Sequence, residues 1–330
     1  MIEYRIRDTS TMLKLFYVIF MNLHRAPYMI PRMRAEADHP QRYTEEQRYS
    51  LVQHAIYLMN KTGKINTVET GAEHLPKQGG YMMYPNHQGK YDVLGIMYTH
   101  KSPCSFVMDK RKSHTILVRE FCDLVQAKRL EKDNPRQGIT IINQVAKEVA
   151  AGKKYILFPE GGYRFNNKNK VCDFKAGSFK IALKSHAPIV PIALIDSYKV
   201  FNSFHIGPIT TYVHYLKPIC YEEYKGMKTQ EIADLVKIRI EEKIQQEMQA
   251  QSQIRQQQSG ETQKKKPELA NWQKVMDNGE YLRSAEMAEE ANYNMIDGLM
   301  NNTPKKKDKN APRRSVLKRL RKHQQKIASQ

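Results

Sequence analysis

A three-layer α/β core built on a mostly parallel sheet is the fold class this chain predicts, and three observations carry it. Apolar runs of strand length recur at residues 80–84, 104–108, 155–158 and 188–195, with little polar alternation inside them. Such runs fit strands buried on both faces, the habit of parallel sheets covered by helices. Helical periodicity separates them at residues 113–124 and 138–151, the second stretch carrying Ile139, Ile142, Val145 and Val149 on one face and ending at Gly152. Residues 209–216 alternate loosely as a late strand. Strands separated by helices place any site at the strand ends.

The elements follow in order. Residues 12–23 form an apolar run, Met-Leu-Lys-Leu-Phe-Tyr-Val-Ile-Phe-Met-Asn-Leu, short of the ~18 continuous apolar residues a membrane span needs. Arg5, Arg7, Lys14, His24 and Arg25 surround it and no small-residue cleavage site follows, so it reads as an interfacial helix and not as a cleaved signal peptide. A second helix starts at Thr44, whose hydroxyl caps it while Gln47 reaches back, and its apolar face carries Leu51, Val52, Ala55, Ile56 and Met59. Phe174-Lys175-Ala176-Gly177 opens a helix running to about His186, whose N-terminus offers backbone donors to an anion. Residues 228–258 are polar and Gln-rich, with Ile232, Leu235, Val236, Ile240 and Ile244 at helical spacing, a helix that starts on the core and then leaves it. Residues 267–300 hold Trp272 and scattered apolar residues, enough for one or two helices.

Two blocks carry chemistry. Asn86-His87-Gln88-Gly89-Lys90-Tyr91-Asp92 puts a carboxylate five positions after a histidine. With eleven histidines and twelve aspartates, roughly 0.4 such pairs are expected by chance. The neighbours raise the signal: an apolar strand ends at Pro85, and Val93, Leu94, Ile96 and Met97 continue from Asp92 at near-helical spacing. One turn then joins the two side chains, and the helix N-terminus favours Asp92 ionised. An imidazole held in one tautomer by a carboxylate can take a proton from a substrate hydroxyl, which makes His87 a candidate base for direct acyl transfer. The second block, Phe158-Pro159-Glu160-Gly161-Gly162-Tyr163-Arg164, delivers a carboxylate, a glycine pair and a guanidinium to a loop suited to an anionic head group.

At these residues the sequence resembles the lysophosphatidate (1-acylglycerol-3-phosphate) acyltransferases, within the wider glycerolipid acyltransferases. Asn86-His87 through Asp92 is similar to the family's catalytic block, and Leu130-Glu131-Lys132-Asp133-Asn134 to its second, which normally has arginine where Lys132 falls. Phe158-Pro159-Glu160-Gly161 resembles the third block and Val190-Pro191-Ile192 the fourth, while residues 70–76 are similar to the lead-in to the catalytic strand. The matches span roughly residues 10 to 225, in the family's order. Two departures stand out. Gly89 occupies a position where serine is usual, and Gly162 and Tyr163 intervene before Arg164 where threonine and arginine usually follow the glycine.

The resemblance implies a glycerolipid acyltransferase-like core behind an amphipathic two-helix motif at the membrane surface. It implies that acyl-CoA or acyl carrier protein donates an acyl group to the sn-2 hydroxyl of lysophosphatidic acid, with His87 and Asp92 catalytic. Glu160, Gly161, Arg164, Lys132 and Lys175 would hold the acceptor phosphate. No cofactor or metal is expected. Another acceptor, glycerol 3-phosphate or a different lysolipid, stays open, as does a non-catalytic membrane scaffold with a degenerate core.

Composition bounds the rest. At 330 residues the chain holds one sizeable core plus extensions. The expected division is 1–62 for the N-terminal helices, 63–225 for the core, 226–300 for a polar helical extension and 301–330 for a basic tail. That tail carries eleven Lys and Arg against Asp308, a net +10 and half of the chain's +20. Val316, Leu317, Leu320 and Ile327 lie among these charges, so an anionic membrane surface is the favoured partner over nucleic acid. Cys104, Cys122, Cys172 and Cys220 show no paired metal spacing or dense disulfide pattern, which fits a reducing cytosol. A peripheral or monotopic protein on the cytoplasmic face of a membrane is the expectation.

Overall fold

Two strands buried on both faces form the centre of the sheet. In Tyr81–Pro85 and Ile189–Ile195 every residue is buried, and successive side chains go to opposite clusters. Tyr81 and Met83 join Val190, Ile192 and Leu194 on one face; Met82 and Tyr84 join Ile189, Ala193 and Ile195 on the other. The period-two geometry of a strand therefore turns one continuous apolar run into two cores. The computed structural model describes residues 13–264 apart from 132, 164–166, 204 and 206.

Seven strands are present among the described residues: β1 Ile65–Thr70, β2 Tyr81–Pro85, β3 Ser105–Asp109, β4 Lys128–Leu130, β5 Lys154–Ile156, β6 Ile189–Ile195 and β7 Ile209–Tyr215. They make one sheet in the order β1-β7-β6-β2-β5-β3-β4. β6, β2, β5, β3 and β4 run parallel, whereas β7 pairs antiparallel with β6 and parallel with β1. The mostly parallel sheet is as expected. β1 and β4 were not, because Asn66, Thr67, Glu69 and Thr70 interrupt one and β4 is a three-residue strand, Lys-Arg-Leu, with no apolar run.

Helices cover both faces. Glu45–Gly63 opens with the expected capping box, the Gln47 N–H donating to Thr44 Oγ1 at 3.2 Å and the Thr44 N–H to Gln47 Oε1 at 2.9 Å. Its Leu51, Val52 and Ile56 are buried in the first cluster, so this helix packs on the core. The apolar face of the second expected helix is thus spent on the sheet. Pro135–Ala150 and Lys180–Ser185 cover the other face, joined by Ile232, Ala233, Val236, Ile240 and Ile244 of Thr229–Lys264. The chain divides into two compact units, 1–252 and 253–330. The first part of the long helix thus belongs to the first unit.

Three further differences are local. The single helix expected over 113–124 is two short ones, Lys110–Ser113 and Val118–Leu124, with Leu117 between them at φ 73°. An additional helix, Ala26–Asp38, follows the first. The helix expected from Phe174 opens as a 3-10 turn, Ala176–Phe179, before Lys180–Ser185.

The first helix, Leu13–Asn22, buries only Lys14 and Val18. The Lys14 ammonium donates to the Gly207 carbonyl at 2.7 Å, and Val18 joins Ile65, Phe201 and Ile209. Leu13, Phe16, Tyr17, Phe20 and Leu23 form an exposed stripe at helical spacing, with Phe20 72% exposed. No helix among the described residues is long and apolar enough to cross a membrane. Residues 265–330, including the basic tail and the Trp272 region, lie outside the described residues.

Candidate active site

Parallel strands deliver their following residues to the same edge of a sheet. β2 runs into His87, its neighbour β5 into Glu160, its other neighbour β6 into Ser197, and β3 into Lys110–Ser113. The register of β2 against β6 is set at Tyr84↔Pro191 and Pro85↔Ile192. Asn86 then continues the ladder with its side chain: Nδ2 donates to the Leu194 carbonyl at 3.1 Å and Oδ1 accepts the Leu194 N–H at 2.7 Å. Gln88 does the same one step on, donating to the Leu194 carbonyl at 2.7 Å and accepting the Ser197 N–H at 3.0 Å. His87 is held between two buried amides, and its ring is the one directed away from this ladder.

The His87 Nδ1 lies 2.7 Å from Asp92 Oδ2. Asp92 opens the helix Asp92–Thr99, is 1% exposed, and its Oδ2 also accepts the N–H groups of Gln88 at 2.5 Å and Gly89 at 2.9 Å. Three N–H groups thus converge on one carboxylate oxygen as their acceptor. It therefore accepts the Nδ1 proton in a hydrogen bond and leaves Nε2 as the free base. The His87 ring stacks on Phe158 at 4.2 Å between centroids and meets the edge of Tyr163 at 4.9 Å, which fixes its plane.

Glu160 Oε1 accepts the His87 N–H at 2.9 Å, tying the third block to the first. The carboxylate is buried, with the Cys172 backbone and thiol also beside it. Burial pushes its carboxyl above the usual Glu value of 4.5, with the His87 N–H pulling the other way. The folded chain thus disfavours the charged form; that penalty is absent well below pH 4.5, grows as pH rises from there to the raised folded-state value, and is constant beyond it. Glu160→Gln should lose activity yet gain stability relative to wild type as pH is raised through 4.5. Parallel stability curves over that range, by denaturant titration, would refute this.

The expected phosphate ligands are distributed unevenly. Lys175 reaches the site: a Cβ on Gly161 would sit 2.6 Å from its Nζ, so the ammonium lies against the backbone beside Glu160. Gly161 itself has φ 73°, a conformation suited to glycine. Lys132 and Arg164 lie outside the described residues. Two lysines not singled out in the sequence stand nearby, Lys90 and Lys112, with Nζ 5.9 and 5.6 Å from the Tyr163 ring centroid. Tyr163 looked like an interruption of the third block; its ring bridges His87 and these two cations. Aromatic insertion beside a catalytic block was the available signal. Ser197 had none, lying more than a hundred residues from Asp92.

Gly89 has a steric reason. A Cβ there would lie 2.5 Å from Asn202 Oδ1 and 3.0 Å from its Cγ, and Oδ1 accepts the Lys90 N–H at 2.9 Å. The Asn202 side chain fills the room a serine would need. Gly89→Ser should therefore cost about 1 kcal/mol by displacing that hydrogen bond. In the background of Asn202→Ala the same change should cost less, a coupling measurable by a double-mutant cycle. Strict additivity would refute the contact.

Comparison with known proteins agrees with this architecture. A family model described as Acyltransferase matches residues 66–195, and a domain of unknown function (DUF4316) matches 278–321. A 1-acyl-sn-glycerol-3-phosphate acyltransferase of Limnanthes alba is 27% identical over 171 residues, 51% of this chain and 58% of that one. The alpha enzyme of the same name from Mus musculus is 27% identical over 154 residues, 46% and 52% of the two chains. The match thus spans little more than half of those relatives' length. The crystal structure of the 1-acyl-sn-glycerophosphate (LPA) acyltransferase PlsC from Thermotoga maritima superposes with a TM-score of 0.56 at 16% identity, covering 73% of this chain and 97% of that one, a likeness of fold. With the blocks in order and the sheet arranged to bring them to one edge, residues 66–195 match the Acyltransferase family model and the chain is similar to 1-acyl-sn-glycerol-3-phosphate acyltransferases.

Proposed function

We propose that the protein is an O-acyltransferase that moves a fatty acyl group from an acyl thioester to the sn-2 hydroxyl of lysophosphatidic acid, giving phosphatidic acid. The observation that carries this reading is the 2.7 Å contact of His87 with Asp92 at the sheet edge, with Nε2 left to act. Nε2 removes the hydroxyl proton as that oxygen attacks the thioester carbonyl; the thiolate of coenzyme A or acyl carrier protein leaves and is protonated. No covalent acyl-enzyme is required, since the acceptor supplies the nucleophile. Asp92 stabilises the imidazolium while it exists.

Lys90, Lys112 and Lys175 add positive charge around His87, and with Lys132 and Arg164 they are the proposed anchor for the acceptor phosphate. Glu160 and Gly161 shape the loop between anchor and base. The exposed stripe of Leu13–Asn22 supports a monotopic attachment to a membrane surface, proposed to be the cytoplasmic face, which lets the acyl chains stay in lipid while the head group enters. The catalytic core spans 63–225 in this reading, and the basic segment 301–330 adds attraction to anionic lipid.

The test is product identification. Purified protein would be incubated with labelled acyl-CoA or acyl carrier protein and lysophosphatidic acid, glycerol 3-phosphate or lysophosphatidylcholine. Phosphatidic acid as the dominant product is expected. Transfer to another acceptor would reassign the substrate, and no transfer with any pair would remove the enzymatic reading.

A further inference from the structure

The Asp92 carboxylate has a donor that comes from neither of the two chemical blocks. Ser197 follows β6 by two residues and is 2% exposed, and its Oγ lies 2.5 Å from Asp92 Oδ1 and 2.9 Å from Gln88 Oε1. A hydroxyl has one proton to give. The carboxylate is nearer and charged, and Gln88 Oε1 already accepts the Ser197 N–H, so the proton goes to Asp92. Oδ2 meanwhile serves His87, Gln88 and Gly89. The two oxygens of one carboxylate thus face different tasks.

We infer that Ser197 is a positioning residue that tunes the basicity of His87 through Asp92. This rests on the reading of His87 as the general base. A hydroxyl donating to Oδ1 draws charge away from the carboxylate and weakens its pull on the Nδ1 proton, which keeps the imidazole neutral, and able to act, at lower pH. Without that donor Oδ1 is a buried anionic oxygen lacking its partner. The carboxylate then attracts the Nδ1 proton more strongly and favours the imidazolium. The bond also stops Asp92 from rotating, so its loss loosens the aim of the ring.

The other titratable groups facing the dyad are Glu160, which accepts the His87 N–H, and Tyr163 at the ring edge, with Lys90 and Lys112 behind it. Lys175 lies against Gly161, and beside Ser197 Asp196 is paired with Lys199 at 2.6 Å. Substitution at 197 leaves all of these in place.

Ser197→Ala, Ser197→Cys and Ser197→Thr in the full chain, each with an NMR titration of the His87 ring and a pH profile of kcat/KM, test the inference. Ser197→Ala should move the His87 midpoint and the acid limb of the profile upward by about 0.5–1 pH unit and lower kcat about tenfold, with little change in KM. Cysteine, close in volume and a weak donor, should shift both in the same direction by less; threonine, which keeps the hydroxyl, should restore the wild-type midpoint. If the alanine variant fails to fold, the cysteine variant carries the comparison. Unchanged or lowered midpoints in the folded alanine and cysteine variants, even with reduced activity, would overturn the inference and leave Ser197 a packing residue. Near-normal turnover by His87→Ala would instead remove the parent reading, and the ring titration would still report whether Ser197 acts on the pair.

Discussion

His87→Ala is expected to lower acyl transfer by ~10²- to 10⁴-fold, the usual contribution of a placed base. The loss should fall on kcat, because the imidazole acts on the proton in transit and the proposed phosphate anchor lies on other residues. Folding should survive. The His87 side chain contacts Phe158 and Tyr163 near the surface of the site, while the bonds that hold its loop run through Asn86, Gln88 and the His87 backbone. Circular dichroism and a melting curve like those of wild type, together with the lost turnover, would locate the effect in chemistry. A folded alanine variant that still transfers acyl groups at near-normal rate would remove His87 from the mechanism.

The second large effect concerns attachment. Phe16 and Phe20 are 51% and 72% exposed, one turn apart on Leu13–Asn22, and the opposite face holds the helix to the core through Lys14 and Val18. Changing both phenylalanines to serine removes about 1.5–3 kcal/mol of membrane burial each, which corresponds to a ~10²- to 10⁴-fold drop in partitioning onto liposomes. Flotation with vesicles of mixed neutral and anionic lipid would measure it. Activity on a short-chain, monomeric acceptor should be retained, since the sheet edge is untouched. Equal flotation of the double variant would move the attachment to the basic segment 301–330.

Both predictions draw on features that differ in how visible they were before folding. The strands β2 and β6 could be read from uninterrupted apolar runs, since a strand buried on both faces leaves an unmistakable composition. The helix Glu45–Gly63 was equally legible from Thr44 and Gln47, whose capping is a local interaction. Its destination was not. Leu51, Val52 and Ile56 would suit a membrane surface or a sheet equally well, and only the packing of the first cluster assigns them to the core. β1 and β4 escaped notice because hydrogen bonding to neighbours, rather than their own composition, makes them strands.

The same division runs through the site. His87 and Asp92 were recoverable because both sit within one turn, where chain connectivity alone brings them together. Glu160 could be named, but its bond to the His87 N–H depends on β5 lying beside β2. Tyr163 and Gly89 looked like defects in a pattern. In three dimensions one ring gathers Lys90 and Lys112 next to His87, and the missing side chain at 89 makes room for Asn202.

What the sequence by itself determined is therefore the fold class, the order of the blocks and the pairing of His87 with Asp92, all of which rest on periodicity or on contacts within a few residues. Tertiary structure alone decided who completes that pair. Ser197 reaches Asp92 across 105 positions because β6 and β2 are parallel neighbours that end at the same edge. No local pattern encodes such a contact; it follows from strand register, which the cooperative burial of both sheet faces sets.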